Sequence, residues 1–383
     1  MEGLLASTGF AAMVAAAPAV RRFGVVDVGC SSGIDAAWRG FGDKLVAFGF
    51  DPNIAEVERL AAAETLAGVR YVAGFVAVPE DLPFARARAG RGPWSRNPME
   101  RLSVTRSMEG MRRGALSQEQ KTQANMWEET RLADPESPVL LREFLPAQGV
   151  DDVDVLKIDI DSMDMGVLHS VGAQLADWRV LAVGLEVNYF GSDDDSDHTL
   201  HAMDRFMRAR GFDLFDLSVR RYSHAALPAP YVGGLPGPSV FGRPVQGDAL
   251  YLRDPCAAEP GLALAPDKLA KLAAIASLAG VPDFAAEILL KHREALAGVI
   301  DVDLGLDALA AQVQPVGRAP LRYRDYMAAF ERGDAMFLNG GPAGAVVGGA
   351  TMHLQQRLAA MEASTSWRIT APLRWVMGKL KGK

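Results

Sequence analysis

The stretch Val25–Gly33, reading VVDVGCSSG, constrains the fold more than any other part of the chain. Val25, Val26 and Val28 are β-branched and predict a short buried strand. Asp27 stands near its C-terminal end, and Gly29 and Gly33 bracket a tight turn into the helical stretch IDAAWRGF. Glycine suits such a turn because it accepts positive φ and lets a ligand approach the backbone. A second strand, over 44–50, ends in Asp51. A carboxylate at that point is placed to hold two ribose hydroxyls. The expectation is an adenosine-bearing cofactor lying across the edge of an α/β sheet.

What the loop lacks narrows the choice of cofactor. A dinucleotide loop needs three spaced glycines to cradle a pyrophosphate. Here Ser31 replaces the second and Ile34 the third, and no GK[ST] phosphate loop is present. S-adenosylmethionine has ribose and adenine but no phosphate, and suits the looser turn. Asp27, Gly29, Cys30, Ser31 and Gly33 are then the candidates for its methionine end and Asp51 for its ribose. Glu80 or Asp81, after a third strand at 69–78, would meet the adenine amine. The competing explanation is a glycine-bearing strand-to-helix turn without a ligand.

From Arg22 to Asp254, strand and helix patterns alternate, which predicts a parallel, doubly wound α/β sheet. Asn53 is a candidate N-cap for an alanine-rich helix to about Ala67. An insertion over about 79–138 carries eight arginines between Arg86 and Arg113, against Glu100 and Glu109. It reads either as a solvated loop or as a binder of an anionic substrate, since arginine pairs bidentately with phosphate or carboxylate. The net charge of −7 makes nucleic acid an unexpected partner. Two cysteines, Cys30 and Cys256, fit a reducing compartment and so a cytoplasmic enzyme. The apolar N-terminus, with Glu2 and no basic segment, reads as a helix covering the sheet rather than a signal peptide.

The chemistry is expected on the next two strands. In VDVLKIDID, over 153–161, Lys157, Asp159 and Asp161 alternate and project to one face. Ser162 is a candidate cap for the helix that follows. Strand five, over 180–189, carries Glu186 in an apolar run, and a buried carboxylate needs a partner. His198, His201 and His224 follow the same edge in sequence. Lys157, Asp159, Asp161 and His224 are the catalytic candidates, with Asp159, Asp161 or His224 as base. Alternatively Asp159 and Glu186 bind Mg²⁺, which would lower the pKa of an acceptor hydroxyl. A strand over 212–219, a Pro/Gly-rich connection and a last strand over 248–254 complete the pattern.

With VVDVGCSSG, AFGFDPN, VDVLKIDIDSMDMGVL and VGLEVNY in order, the first 255 residues resemble the FkbM-type family of S-adenosylmethionine-dependent methyltransferases. Ser162 departs from the glycine usual there. The resemblance implies a seven-stranded Rossmann-like sheet with an antiparallel last strand. It also implies O-methylation of a sugar, glycan or hydroxylated metabolite. Two alternatives stand beside it: a nucleotide-sugar glycosyltransferase using Asp159-Ile160-Asp161 as a D-x-D metal site, and a non-catalytic module of the same fold.

Past Asp254 the composition changes. PDKLAKLAAIASLAG and PDFAAEILLKHREALAG each open with Pro-Asp and close with glycine, which predicts two helices in a helical domain over 256–338. A Gly-rich linker over 339–350 leads to the last eighteen residues, with five basic residues, no acid and two tryptophans. That pattern suits an amphipathic helix on anionic lipid at the inner membrane face; a helix docked on its own protein is the alternative.

Overall fold

The computed structural model describes residues 4–31, 33–76, 131–160, 163–189, 191, 197–222, 243–257, 263–315, 319–334 and 337. Its centre is a twisted sheet in the order β3-β2-β1-β4-β5-β8-β6, with a short β7 paired to β8. The strands are β1 (Phe23–Val28), β2 (Leu45–Asp51), β3 (Val69–Ala73), β4 (Val155–Ile158), β5 (Ala182–Asn188), β6 (Asp213–Leu217), β7 (Arg220–Tyr222) and β8 (Arg243–Leu252). β1 to β5 run parallel. β8 runs antiparallel to β5, β6 and β7. The α/β class and the antiparallel last strand are as expected.

β1 alternates cleanly between two cores. Phe23 and Val25 face one layer, and Val26 and Val28 the other. Burial of both faces is what makes the strand a continuous apolar run. The first layer holds α1 (Gly9–Ala16) and α2 (Ala36–Arg39). Phe23 stacks on Phe41 with ring centroids 3.8 Å apart. The second layer holds α4 (Leu141–Ala147), α5 (Asp164–Ser170), α6 (Gln174–Asp177) and α7 (Leu200–Arg208). α3 (Ile54–Ala63) lies against β2 and β3, and Asn53 caps it by accepting from Glu56 N–H at 3.2 Å.

The helices after residue 255 complete the first layer. They are α8 (Pro266–Leu278), α9 (Pro282–Lys291), α10 (Arg293–Leu296), α11 (Val302–Val313) and α12 (Tyr323–Glu331). Leu269, Leu272, Ile275, Ile288 and Leu306 share one apolar core with α1 and strand residues Phe23, Val25 and Val155. A buried ionic cluster fixes α8 at the N-terminal end of the sheet. Lys268 contacts Asp152 and lies 2.6 Å from Asp154 Oδ1, and Lys271 lies 3.2 Å from Asp154 Oδ2. Asp154 also accepts from Gly24 N–H at 2.8 Å, so β1, β4 and α8 meet on one carboxylate.

Several boundaries differ from the sequence reading for local reasons. β8 starts at Arg243 because β7 pairs with its first half, inside what reads as a Pro/Gly-rich connection. Gly247 permits this: a Cβ there would sit 2.0 Å from Ser218 C=O. The second C-terminal helix breaks at His292 into α9 and α10, and α11 and α12 follow. Among the described residues, no helix is long and apolar enough to cross a membrane. The arginine-rich stretch, the Gly-rich linker and the basic C-terminus lie outside the described residues.

Candidate active site

The turn after β1 is shaped by its neighbours. Gly29 has φ +90°, and a Cβ there would lie 1.8 Å from the Asp159 carbonyl oxygen, so β4 passes directly against the turn. Gly29 and Cys30 N–H both donate to Phe50 C=O, at 2.9 and 3.1 Å, which ties the turn to the end of β2. The far side of the turn is held by Tyr71, whose hydroxyl accepts from Ile34 N–H at 3.2 Å. Glu64 accepts a two-pronged contact from Arg39 at 2.9 and 2.8 Å and a bond from the same Tyr71 hydroxyl. Arg39 and two backbone amides hold the Glu64 carboxyl down to about 2.

Cys30 faces inward. Its Sγ lies 2.7 Å from where a Cβ on Gly49 would be, and burial pushes the thiol far up. Its side chain is therefore packing, and any contact it makes to a ligand comes from the backbone.

Asp51 ends β2, and burial pushes its carboxyl up. Among the described residues, its Oδ1 accepts from Asn53 N–H at 2.8 Å, which leaves Oδ2 for a ligand. A carboxylate with one uncommitted oxygen beside a glycine turn fits a ribose diol. Chain returning from the insertion runs past this point. Ile54 N–H donates to Arg131 C=O at 3.0 Å, and Ala133 N–H to Pro52 C=O at 2.8 Å.

Register brings the charged residues together. Asp27 on β1 stands directly beside Lys157 on β4. Lys157 Nζ lies 3.2 Å from Asp27 Oδ1 and 3.4 Å from Asp159 Oδ2, and donates to Gly29 C=O at 3.4 Å. Burial lowers the Lys157 pKa, but Asp27 and Asp159 together outweigh it and hold the ammonium above its ordinary range. Lys157 is thus a fixed cation and no base at neutral pH. Asp27 is 6% exposed, and burial pushes its carboxyl up against the pull of Lys157. Asp159 is the accessible member, its side chain 31% exposed.

Glu186 lies on β5, opposite Asp248 of β8, and its Oε1 accepts from Gln246 Nε2 at 2.9 Å. Asp159 and Glu186 are thus engaged by Lys157 and Gln246. Among the described residues, no group of three or more His, Cys, Asp or Glu could hold a metal ion. Mg²⁺ therefore gains no support. Asp161, Ser162, Glu80, Asp81 and His224 lie outside the described residues; the helix after β4 starts from Met163, without a side-chain cap bond. Ser31, by contrast, is described and exposed on the turn.

Two residues that the sequence reading left without a role are central. Asp164 opens α5 and is fully buried, with Oδ1 accepting from Ile160 N–H at 3.0 Å. His198, also buried, donates from Nε2 to Glu186 C=O at 2.8 Å and places Nδ1 3.4 Å from Asp164 Oδ2. Since a carbonyl only accepts, Nε2 carries a hydrogen, while Nδ1 and Oδ2 meet at ion-pair distance without a hydrogen bond between them. Burial pushes the Asp164 carboxyl up. The available sequence signal was one aspartate at the start of the helical stretch DMGVLHS, ahead of its apolar residues. His201 instead sits 3.3 Å from Thr199 Oγ1, on the first turn of α7.

Residues 39–214 match the model of the methyltransferase FkbM domain. No curated protein matches the chain. Two solved structures align weakly. One, from Thermoplasma acidophilum, is described only as that of a proposed methyltransferase: TM-score 0.28, 8% identity, 61% of this chain and 68% of that one. The other pairs the Haloferax volcanii Trm112 methyltransferase activator with a proposed methyltransferase: TM-score 0.29, 13% identity, 63% of this chain and 86% of that one. Superpositions this slight carry no weight here, and the family match stands on its own.

Proposed function

We propose that this chain, whose residues 39–214 match the model of the methyltransferase FkbM domain, moves a methyl group from S-adenosylmethionine to a sugar or glycan hydroxyl. The match to a methyltransferase family supports this cofactor over the glycosyltransferase and non-catalytic alternatives; the acceptor class is our reading. The observation that carries it is the row Asp51–Gly29–Asp159 at the C-terminal edge, with Lys157 beneath it. It sets Asp51, the carboxylate that would hold the ribose, and a second, accessible carboxylate on either side of a glycine turn.

S-adenosylmethionine supplies an electrophilic methyl group on a positively charged sulfur. Asp51 would hold the ribose, and the Gly29–Gly33 turn would seat the methionine end through its backbone. Methyl transfer joins the acceptor oxygen to the methyl carbon as the carbon–sulfur bond breaks, and the sulfur keeps the electron pair. The hydroxyl proton must leave, and Asp159 would take it as base. Lys157 fixes that carboxylate at 3.4 Å, so the base is oriented before the acceptor arrives.

The arginine-rich insertion supports an anionic acceptor such as a phosphorylated sugar, since its returning end runs beside Asp51 and Asn53. The basic C-terminus supports peripheral contact with anionic lipid, at on the order of 1 kcal/mol per basic residue. Methyl transfer from tritiated cofactor to a panel of neutral and phosphorylated sugars tests the reading. The expected result is transfer to a sugar hydroxyl, faster with the phosphorylated member. Cofactor binding without transfer to any sugar would overturn the acceptor class. Co-sedimentation with anionic but not neutral vesicles is expected at low salt, and equal recovery with both would remove the membrane contact.

A further inference from the structure

The β4–β5 ladder ends early. Its last pair is Ile158 with Leu185, one residue short of Asp159 and Glu186. Beyond that point Asp159 N–H bonds back to β1, at Val28 C=O. The next donor along the chain past β4, Ile160 N–H, is taken by Asp164 Oδ1, and the Glu186 carbonyl is taken by His198 Nε2. Alongside, Thr199 makes a parallel bridge to Asn188, so the His198–Thr199 segment stands next to the end of β5. A chain of contacts thus runs from the β4 turn through Asp164 and His198 to the β5 backbone.

We propose that Asp164 and His198 are positioning residues that set the separation of Asp159 from Glu186, by bridging the β4 and β5 ends where the ladder stops. The proposal rests on the assignment of Asp159 as the base. Neither side chain reaches the acceptor: Asp164 is fully buried and His198 is 2% exposed. Their effect passes through two backbone groups. Displacement of a catalytic group by about 1 Å can cost about a hundredfold in rate. The cofactor edge lies on the other side of β4, at β1 and β2, so cofactor affinity should not follow.

The test compares His198→Phe, which fills the volume without a bond, with His198→Gln, whose amide can still donate to the Glu186 carbonyl. Asp164→Ala and Asp164→Asn form the matching pair, since asparagine can accept from Ile160 N–H and donate to Nδ1. Three quantities are read: S-adenosylhomocysteine affinity, kcat with the best sugar of the panel, and deuterium exchange at the Ile160 amide. His198→Phe and Asp164→Ala should lower kcat about ten- to a hundredfold with cofactor affinity within about twofold. Ile160 exchange should accelerate at least about tenfold. The Gln and Asn variants should recover most of the rate. Wild-type kcat in a folded His198→Phe or Asp164→Ala variant would overturn the proposal. So would parallel loss of rate and cofactor affinity, or Gln and Asn variants as poor as Phe and Ala. If one disruptive variant does not fold, the other decides; if neither folds, unchanged Ile160 protection together with lowered kcat in the Gln and Asn variants would overturn it. If the wild type methylates no sugar, the acceptor class has failed, and the Ile160 exchange still decides whether the bridge exists.

Discussion

Replacing Lys157 with methionine isolates the work of the buried cation. Methionine keeps most of the stem and removes the charge, so the packing change is small. What remains is Asp27, 6% exposed and deprived of an ammonium 3.2 Å away. Removing one partner of a buried pair costs about 3–5 kcal/mol. The contact with Asp159 adds less, because that carboxylate is partly in water. The loss must also depend on pH. Burial already pushes the Asp27 carboxyl up in the wild type, and without Lys157 it rises further. A carboxyl raised in the folded state binds its proton more readily there than in the unfolded chain. Stability therefore falls as pH climbs from the unfolded pKa to the folded one, by about 1.4 kcal/mol per unit. Relative to wild type, Lys157→Met should be near parity around pH 4 and fall away above it. Urea denaturation at pH 4.5, 6 and 8 reads this directly. The double variant Asp27→Asn/Lys157→Met should recover about 2 kcal/mol of the loss at pH 8. Wild-type stability of Lys157→Met at pH 8, or a deficit equal at every pH, would refute the reasoning.

Gly29→Ala should destabilise by about 3 kcal/mol or more, because the new methyl meets the Asp159 carbonyl at 1.8 Å in a positive-φ position; thermal unfolding measures it, and S-adenosylhomocysteine affinity should fall with it. Lys268→Met should cost about 3–5 kcal/mol by leaving Asp154 buried without that countercharge. Its cofactor affinity should stay within about twofold, since that cluster is at the opposite end of the sheet. Glu64→Gln should remove stability that is present above the ordinary carboxyl pKa of 4.5 and fades as pH falls toward about 2. Wild type and variant should differ by about 1 kcal/mol at pH 7 and converge in acid, as followed by circular dichroism.

The sheet was legible because β1, β2, β4 and β5 are buried on both faces, and such strands are written as apolar runs. The alternation of Lys157 and Asp159 placed both on one face, and their contact bears this out. What register supplies was not legible. The sequence cannot say that Lys157 stands beside Asp27, because that depends on how β1 and β4 align. Likewise Cys30 reads as a turn residue, yet Gly49 on the next strand makes the space that draws it inward. Asp164 and His198 are separated by more than thirty positions and look like an ordinary first-turn acid and a loop histidine. Lys268 and Lys271 look like the solvated face of a helix, but Asp152 and Asp154, more than a hundred residues earlier, draw them into the interior.

Titration calorimetry with S-adenosylhomocysteine tests the central claim most directly: the β1–β2 edge binds an adenosine-bearing cofactor through Asp51. The account predicts one site per chain in the wild type. In Asp51→Ala affinity should fall about ten- to a hundredfold, the loss of charge-assisted hydrogen bonds of about 1.5–3 kcal/mol. No binding heat from the wild type at millimolar ligand, or equal affinity in Asp51→Ala, would contradict it.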